Sequence, residues 1–107
     1  MRQYTISEQT ARLIELGFPK PKFEIETQMC NVKGQPLRAA TIVGDYSIGE
    51  LIEMLPTIVD YFTLWIGRDE RSNQWFVKYH PRTLVVDEEL VDALYYMIVK
   101  LKEEGVI

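Results

Sequence analysis

Residues 87 to 105 carry the strongest folding signal in the chain, and they read Asp-Glu-Glu-Leu-Val-Asp-Ala-Leu-Tyr-Tyr-Met-Ile-Val-Lys-Leu-Lys-Glu-Glu-Gly. Acidic residues precede the apolar run and lysines lie near its end, as the helix dipole favours. Asp87 is the predicted N-cap, and Gly105 is the residue predicted to end the helix. Apolar residues at helical spacing predict one buried stripe. Its members are Leu90, Leu94, Met97, Ile98 and Leu101.

Two runs rich in aromatic and β-branched residues precede this helix, at positions 61 to 67 and 74 to 80. The polar segment 68 to 73 joins them, so we predict an antiparallel hairpin. Alternation gives the first strand two apolar faces, and the returning strand repeats the same ambiguity. On the first strand the faces are Phe62, Leu64 and Ile66 against Tyr61, Thr63 and Trp65; on the second they are Trp75, Val77 and Tyr79 against Phe76, Lys78 and His80.

The first half of the chain predicts a helix, a hairpin and a second helix. A capping box between Thr5 and Glu8, with Ser7 as an alternative cap, begins the first helix, and Gly17 ends it. Residues 23 to 28 alternate as a strand, a turn follows at 31 to 36, and 37 to 43 form the return strand.

The second predicted helix has a capping box between Ser47 and Glu50 and ends at Pro56. Its predicted buried face consists of Ile48, Leu51, Ile52 and Leu55. The whole order is α-ββ-α-ββ-α, which predicts one α+β domain over residues 1–107. We expect an antiparallel sheet built from hairpins, with the three helices mainly on one face.

Composition restricts the classes of protein that the chain can represent. Of its 107 residues 47% are hydrophobic and 26% are charged, which is the balance of an ordinary globular domain. The net charge is -4 and neither half is basic, so duplex nucleic acid is a poor candidate partner. The single cysteine, the lack of a secretory signal and the lack of a long apolar run predict a cytoplasmic protein without a membrane anchor.

No set of residues forms a catalytic or cofactor motif. His80 is the only histidine and is predicted to end a strand at the surface, and Cys30 lies in no nucleophile motif. Glu88 and Asp92 are four residues apart and could share a hard cation, but acidic residues in a first helical turn are explained by the dipole. We therefore expect no enzyme, no metal and no cofactor.

The second hairpin contains the candidate interaction surface. Either both of its faces are covered within the domain, which is the more common situation for aromatic strands, or the face with Trp65 and Phe76 is partly exposed. An exposed face with nearby cations would suit a protein partner or, as an alternative, the bases of single-stranded nucleic acid. The candidate residues are Trp65, Phe76, Arg68, Arg71 and Lys78. Homodimerisation through an uncovered face or a hairpin edge is a further expectation.

Four segments give the chain a resemblance to known sequences: residues 6–17, 46–56 and 89–101, together with the tryptophan-bearing hairpin. In order and spacing they resemble a set of small uncharacterised proteins of gut Bacteroidetes that often lie in prophages or other mobile elements. The resemblance implies a non-enzymatic accessory or interaction protein with an unknown protein partner. It implies no catalytic residue.

Overall fold

Ten helices and strands make up the fold, as seen in a computed structural model that describes residues 1–22, 24–30 and 36–107, with the backbone alone for 24–30 and 36–43. The predicted α+β class and the predicted order of helices and strands are confirmed. The elements are α1 (Ser7–Glu15), β1 (Glu24–Cys30), β2 (Pro36–Val43), α2 (Ile48–Met54), β3 (Ile58–Val59), β4 (Phe62–Thr63), β5 (Trp65–Asp69), β6 (Gln74–Tyr79), β7 (Thr83–Asp87) and α3 (Leu90–Glu103).

The strands form three antiparallel sheets within the described residues: β1-β2, β3-β4 and β5-β6-β7. The predicted first hairpin is present, with Glu24 opposite Val43 and Met29 opposite Arg38. Most of its predicted turn, residues 31–35, lies outside the described residues. Because β1 and β2 pair only with each other in the described ladders, the two predicted hairpins belong to separate sheets.

The predicted strand at 61–67 is divided in the structure. Asp60 and Tyr61 have φ values of 51° and 71°, so they form a tight turn between β3 and β4. Two consecutive positive φ values match the right-handed twist of a two-residue hairpin. The backbone N–H of Leu64 then donates to the carbonyl of Thr57 at 2.9 Å, and β5 begins at the next residue.

Helix α3 provides the centre of the core. All five residues of its predicted stripe are buried, and Val91 and Ala93 are buried beside them. They pack against β6 and β7, where Val77 and Tyr79 are fully buried. At roughly 1.5–3 kcal/mol for each large apolar side chain, this contact is a major source of stability.

The predicted N-cap of α3 is wrong. The helix begins at Leu90 with Glu89 as N-cap, and Asp87 ends β7, where its carboxylate accepts a hydrogen bond from the Glu89 N–H at 3.0 Å. The predicted end is correct. Gly105 has a φ of 75°, and the Gly105 and Val106 amides donate to the carbonyls of Lys102 and Leu101 in a Schellman motif.

Helix α1 also departs from its predicted beginning. Ile6 is the N-cap, and the Gln9 side chain accepts the Ile6 N–H at 3.1 Å. The Thr5 hydroxyl instead contacts the Thr10 hydroxyl at 2.7 Å and accepts the Tyr46 N–H at 3.0 Å. The Thr5 backbone N–H donates to the Tyr46 carbonyl, so it is not available to the Glu8 carboxylate as the predicted capping box requires.

The other predicted helix boundaries agree with the structure. Gly17 follows the C-cap of α1 with a φ of 97°. The capping box of α2 is present, with the Ser47 hydroxyl accepting the Glu50 N–H at 3.2 Å. One predicted buried residue is wrong: Ile52 is 38% exposed. The short helix α2 packs against α3; Leu51 and Leu55 are buried, whereas Ile52 is not.

Candidate interaction surface

The β5-β6-β7 sheet has one covered and one open face. Ile66, Val77 and Val85 are direct cross-strand neighbours on the inner face, and they contribute to the core beneath α3. The opposite face, called here the outer face, carries the alternate residues of the same strands. Its members are Trp65, Gly67, Asp69, Gln74, Phe76, Lys78, Leu84 and Val86.

Large apolar side chains remain exposed on the outer face. Trp65 is 63% exposed, Leu84 is 54% exposed and Val86 is 45% exposed. Of the two alternatives that the sequence left open, partial exposure therefore holds for Trp65. Core packing holds for the other face of the hairpin, where Val77 and Tyr79 are fully buried and Trp75 packs against the core.

Phe76 lies flat on the outer face and is only half-buried. Its ring tip covers Gly67 on the neighbouring strand, where an added Cβ would stand 2.5 Å from the Phe76 Cζ. The Lys78 ammonium lies 4.9 Å from the centre of the same ring, within the range of a cation–π contact. Glycine at position 67 thus provides the room in which the phenylalanine ring rests.

The five residues predicted for the surface are not all on one face. Trp65, Phe76 and Lys78 share the outer face. Arg68 lies opposite Trp75 in the register, with its guanidinium carbon 5.8 Å from the Trp75 ring centre and a hydrogen bond to Asn73. Arg71 belongs to the β5–β6 turn, and its N–H donates to the Asp69 carboxylate at 2.9 Å.

A shallow depression of about 420 Å³ occupies the outer face. Its lining residues are Asp69, Ser72, Gln74, Phe76, Lys78, His80, Leu84 and Val86. Sequence reasoning missed Leu84 and Val86 because it predicted no strand after Pro81. The run Thr-Leu-Val-Val-Asp at 83–87, with its β-branched residues, was the signal that could have indicated β7.

The remaining candidate residues do not assemble into a reactive site within the described part of the chain. His80 is exposed in the turn after β6 and lies at the rim of the depression. The Asp92 carboxylate accepts hydrogen bonds from Arg2 and Gln9, and Glu88 precedes α3, so the two do not form the i, i+4 helical pair. The side chain of Cys30 lies outside the described residues.

Two buried tyrosines have raised pKa values, and the hydroxyl of each donates to a backbone carbonyl. Burial raises the pKa of Tyr79 to about 12, and its hydroxyl donates to the Pro56 carbonyl at 2.6 Å. Burial, followed by the charge of Glu50, raises the pKa of Tyr46, whose hydroxyl donates to the Pro19 carbonyl. Both tyrosines fasten loops to the core.

Comparisons with known proteins give this chain no relative. No family model matches it, and neither a curated protein nor a solved structure was found to match. In the residues that the structure describes, no group of histidine, cysteine and acidic side chains could hold a metal ion. Among the same residues, no helix has both the length and the apolar character needed to cross a bilayer.

Proposed function

We propose that the protein is a non-enzymatic interaction protein, and that the outer face is the surface with which it binds a protein partner. The exposure of Trp65, Leu84 and Val86 on one sheet face is the observation that carries this proposal. Contiguous apolar surface costs free energy in water, and on a small domain it is typical of a binding site. Tryptophan is among the residues most often found at the energetic centres of protein interfaces.

The local structure of the outer face also supports a preformed binding surface. The face is built on strands, Phe76 is braced by Gly67 and Lys78, and α3 holds the sheet from behind. Such a surface loses little conformational entropy when a partner binds. Polar groups that line its depression, including Asp69 and Lys78, add orientation to the apolar contact.

The test is quantitative capture of proteins from cells that encode this chain, with the purified protein as bait. We expect Trp65→Ala and Leu84→Glu each to reduce recovery of the same captured protein by at least roughly tenfold, as the loss of an interface centre does. Tyr96→Ala is the matched control, because Tyr96 is also an exposed aromatic residue but lies on α3. Equal recovery with all three variants would contradict the proposal.

An accessory role in a phage-like or mobile element remains part of the proposal. It is supported by the resemblance of the four segments and by no other observation. The non-enzymatic role is supported by the surroundings of His80 and Asp92, which hold no partner set for acid–base chemistry in the described residues. We propose no cofactor.

Binding of single-stranded nucleic acid is the second candidate, favoured by one observation. Trp65 is exposed directly opposite Lys78 in the register, so a base could stack on the indole while the ammonium contacts a phosphate. Phe76 is a weaker stacking residue because Gly67 and Lys78 already contact its ring. Quenching of Trp65 fluorescence by an oligonucleotide should weaken steeply as salt rises, and salt-independent quenching would exclude this mode.

A further inference from the structure

The outer face carries a positive side chain near one end of its strands and a negative side chain near the other end. Its middle cross-strand row, Gly67–Phe76–Val86, is apolar. The row on one side contains Lys78 between Trp65 and Leu84, and the row on the other side pairs Asp69 with Gln74. In the described residues neither Lys78 nor Asp69 has a salt bridge. A cation and an anion therefore lie on opposite sides of an apolar centre.

This distribution of charge is self-complementary in one orientation. Two such faces can pack about 10 Å apart, as sheets do in a β-sandwich. If the two-fold axis runs across the strands through the middle row, Lys78 of each copy lies opposite the Asp69 row of the other. If the axis runs along the strands over β6, Lys78 meets Lys78, which is unfavourable, and Asp69 lies over the β7 side of the other copy, away from any Lys78. The charges therefore select the first orientation.

We propose that the partner of the outer face is a second copy of this chain, packed face to face about a two-fold axis that crosses the strands at the Gly67–Phe76–Val86 row. This inference rests on the proposed binding role of that face and names its occupant. The dimer covers the Gly67–Phe76–Val86 row and Trp65, and it brings Lys78 of each copy close to Asp69 of the other. An isologous contact of this kind closes on itself, so assembly stops at two chains.

The size of the face predicts a weak, reversible dimer. Three strands about 4.8 Å apart and five residues at about 3.4 Å each give a flat area near 14 by 17 Å. Stable interfaces bury about 800 Å² of each partner, which is more than such a face offers. We therefore expect dissociation in the micromolar range, where charge substitutions produce measurable changes.

The experiment is sedimentation velocity over about 5 to 500 µM, a range chosen for weak association. We expect the wild type to pass from monomer to dimer. Lys78→Glu and Asp69→Lys should each weaken dimerisation by roughly tenfold, because each creates two like-charge contacts per dimer. An equimolar mixture of the K78E and D69K proteins should regain dimerisation close to the wild type, since both cross-dimer pairs are then opposite in sign.

The matched controls carry the same charge changes elsewhere. Lys100→Glu and Glu8→Lys alter exposed residues of α3 and α1, and neither the variants nor their mixture should change dimerisation by more than about twofold. Thermal unfolding of every variant checks that loss of the Asp69–Arg71 turn contact leaves the domain folded.

Three results would overturn the inference: a wild type that stays monomeric, single variants that dimerise like the wild type, or a K78E–D69K mixture no tighter than its components. Restoration in a mixture of K78E with wild type would instead assign an axis along the strands. A monomeric wild type whose capture of another protein still depends on Trp65 and Leu84 would leave the proposed function in place and remove only the dimer.

Discussion

The two faces of the β5-β6-β7 sheet carry similar apolar side chains in opposite surroundings. On the inner face Val77 and Tyr79 are fully buried, and on the outer face Trp65 and Leu84 are exposed. The difference arises because α3 packs on one side of the sheet only. Apolar composition therefore shows that a strand face can be buried, while the position of a neighbouring element decides whether it is.

The largest expected difference between the faces is in the free energy of unfolding. Leu94→Ala removes a fully buried side chain of α3 and should destabilise the domain by about 2–5 kcal/mol. Leu84→Ala removes an exposed side chain from the outer face and should change stability by less than about 0.5 kcal/mol at low protein concentration. Urea denaturation measures both, and an equal cost would mean that the outer face is covered in the monomer.

A second difference depends on pH. The folded pKa of Tyr79 is about 12 and its ordinary value is 10.0, so the unfolded chain loses this proton first. The stabilisation is fully present below pH 10 and is lost as pH rises towards 12, by about 2–3 kcal/mol. Denaturation at several alkaline pH values should show a shallower decline for Tyr79→Phe than for the exposed-site control Tyr96→Phe. Parallel declines would contradict the assignment.

The contact between Gly67 and Phe76 offers a smaller effect on the outer face itself. Gly67→Ala places a Cβ where the ring tip lies, so the ring must move, at a cost of about 1–2 kcal/mol. In a Phe76→Ala background the same substitution should be neutral or slightly stabilising, because alanine suits a strand better than glycine. A double-mutant cycle by urea denaturation measures this coupling, and additive effects would show that the ring does not rest on Gly67.

The smallest expected change in the free energy of unfolding comes from two single-tryptophan variants, whose fluorescence compares the exposure of the two faces. Trp65→Phe and Trp75→Phe each leave one tryptophan to report on its own face. At low protein concentration iodide should quench Trp65 strongly and Trp75 weakly, since Trp75 packs against the core beside Arg68. Similar quenching constants would remove the contrast between the faces. Loss of Trp65 quenching at high concentration would indicate that a second copy covers it.

Much of the fold follows from local patterns that need no tertiary information. The stripe of α3, the capping box at Ser47 and the helix-ending glycines Gly17 and Gly105 are as predicted. Each depends on backbone and side-chain groups within one or two helical turns. The prediction at Thr5 failed because a distant residue, Tyr46, takes the hydroxyl and the backbone N–H of Thr5.

The candidate surface was only partly predictable for the same reason. Strand alternation brought Trp65, Phe76 and Lys78 to one face of the hairpin, whereas Arg68 lies on the other face and Arg71 lies in the turn. Leu84 and Val86 lie outside the predicted surface because the sequence pattern predicts no strand after Pro81 and places Asp87 at a helix cap instead of in β7.

By itself, the sequence determined the α+β class, the order of helices and strands, the core stripe of α3 and the two apolar faces of the second hairpin. Only the tertiary structure decided that the hairpins form separate sheets, that β7 extends the second one and that α3 leaves the outer face open. The periodicity of apolar residues depends only on the order of neighbouring residues, so it can be recognised in the local sequence. Which face of the sheet is covered depends on contacts between residues far apart in the chain, and short-range sequence patterns do not predict such contacts.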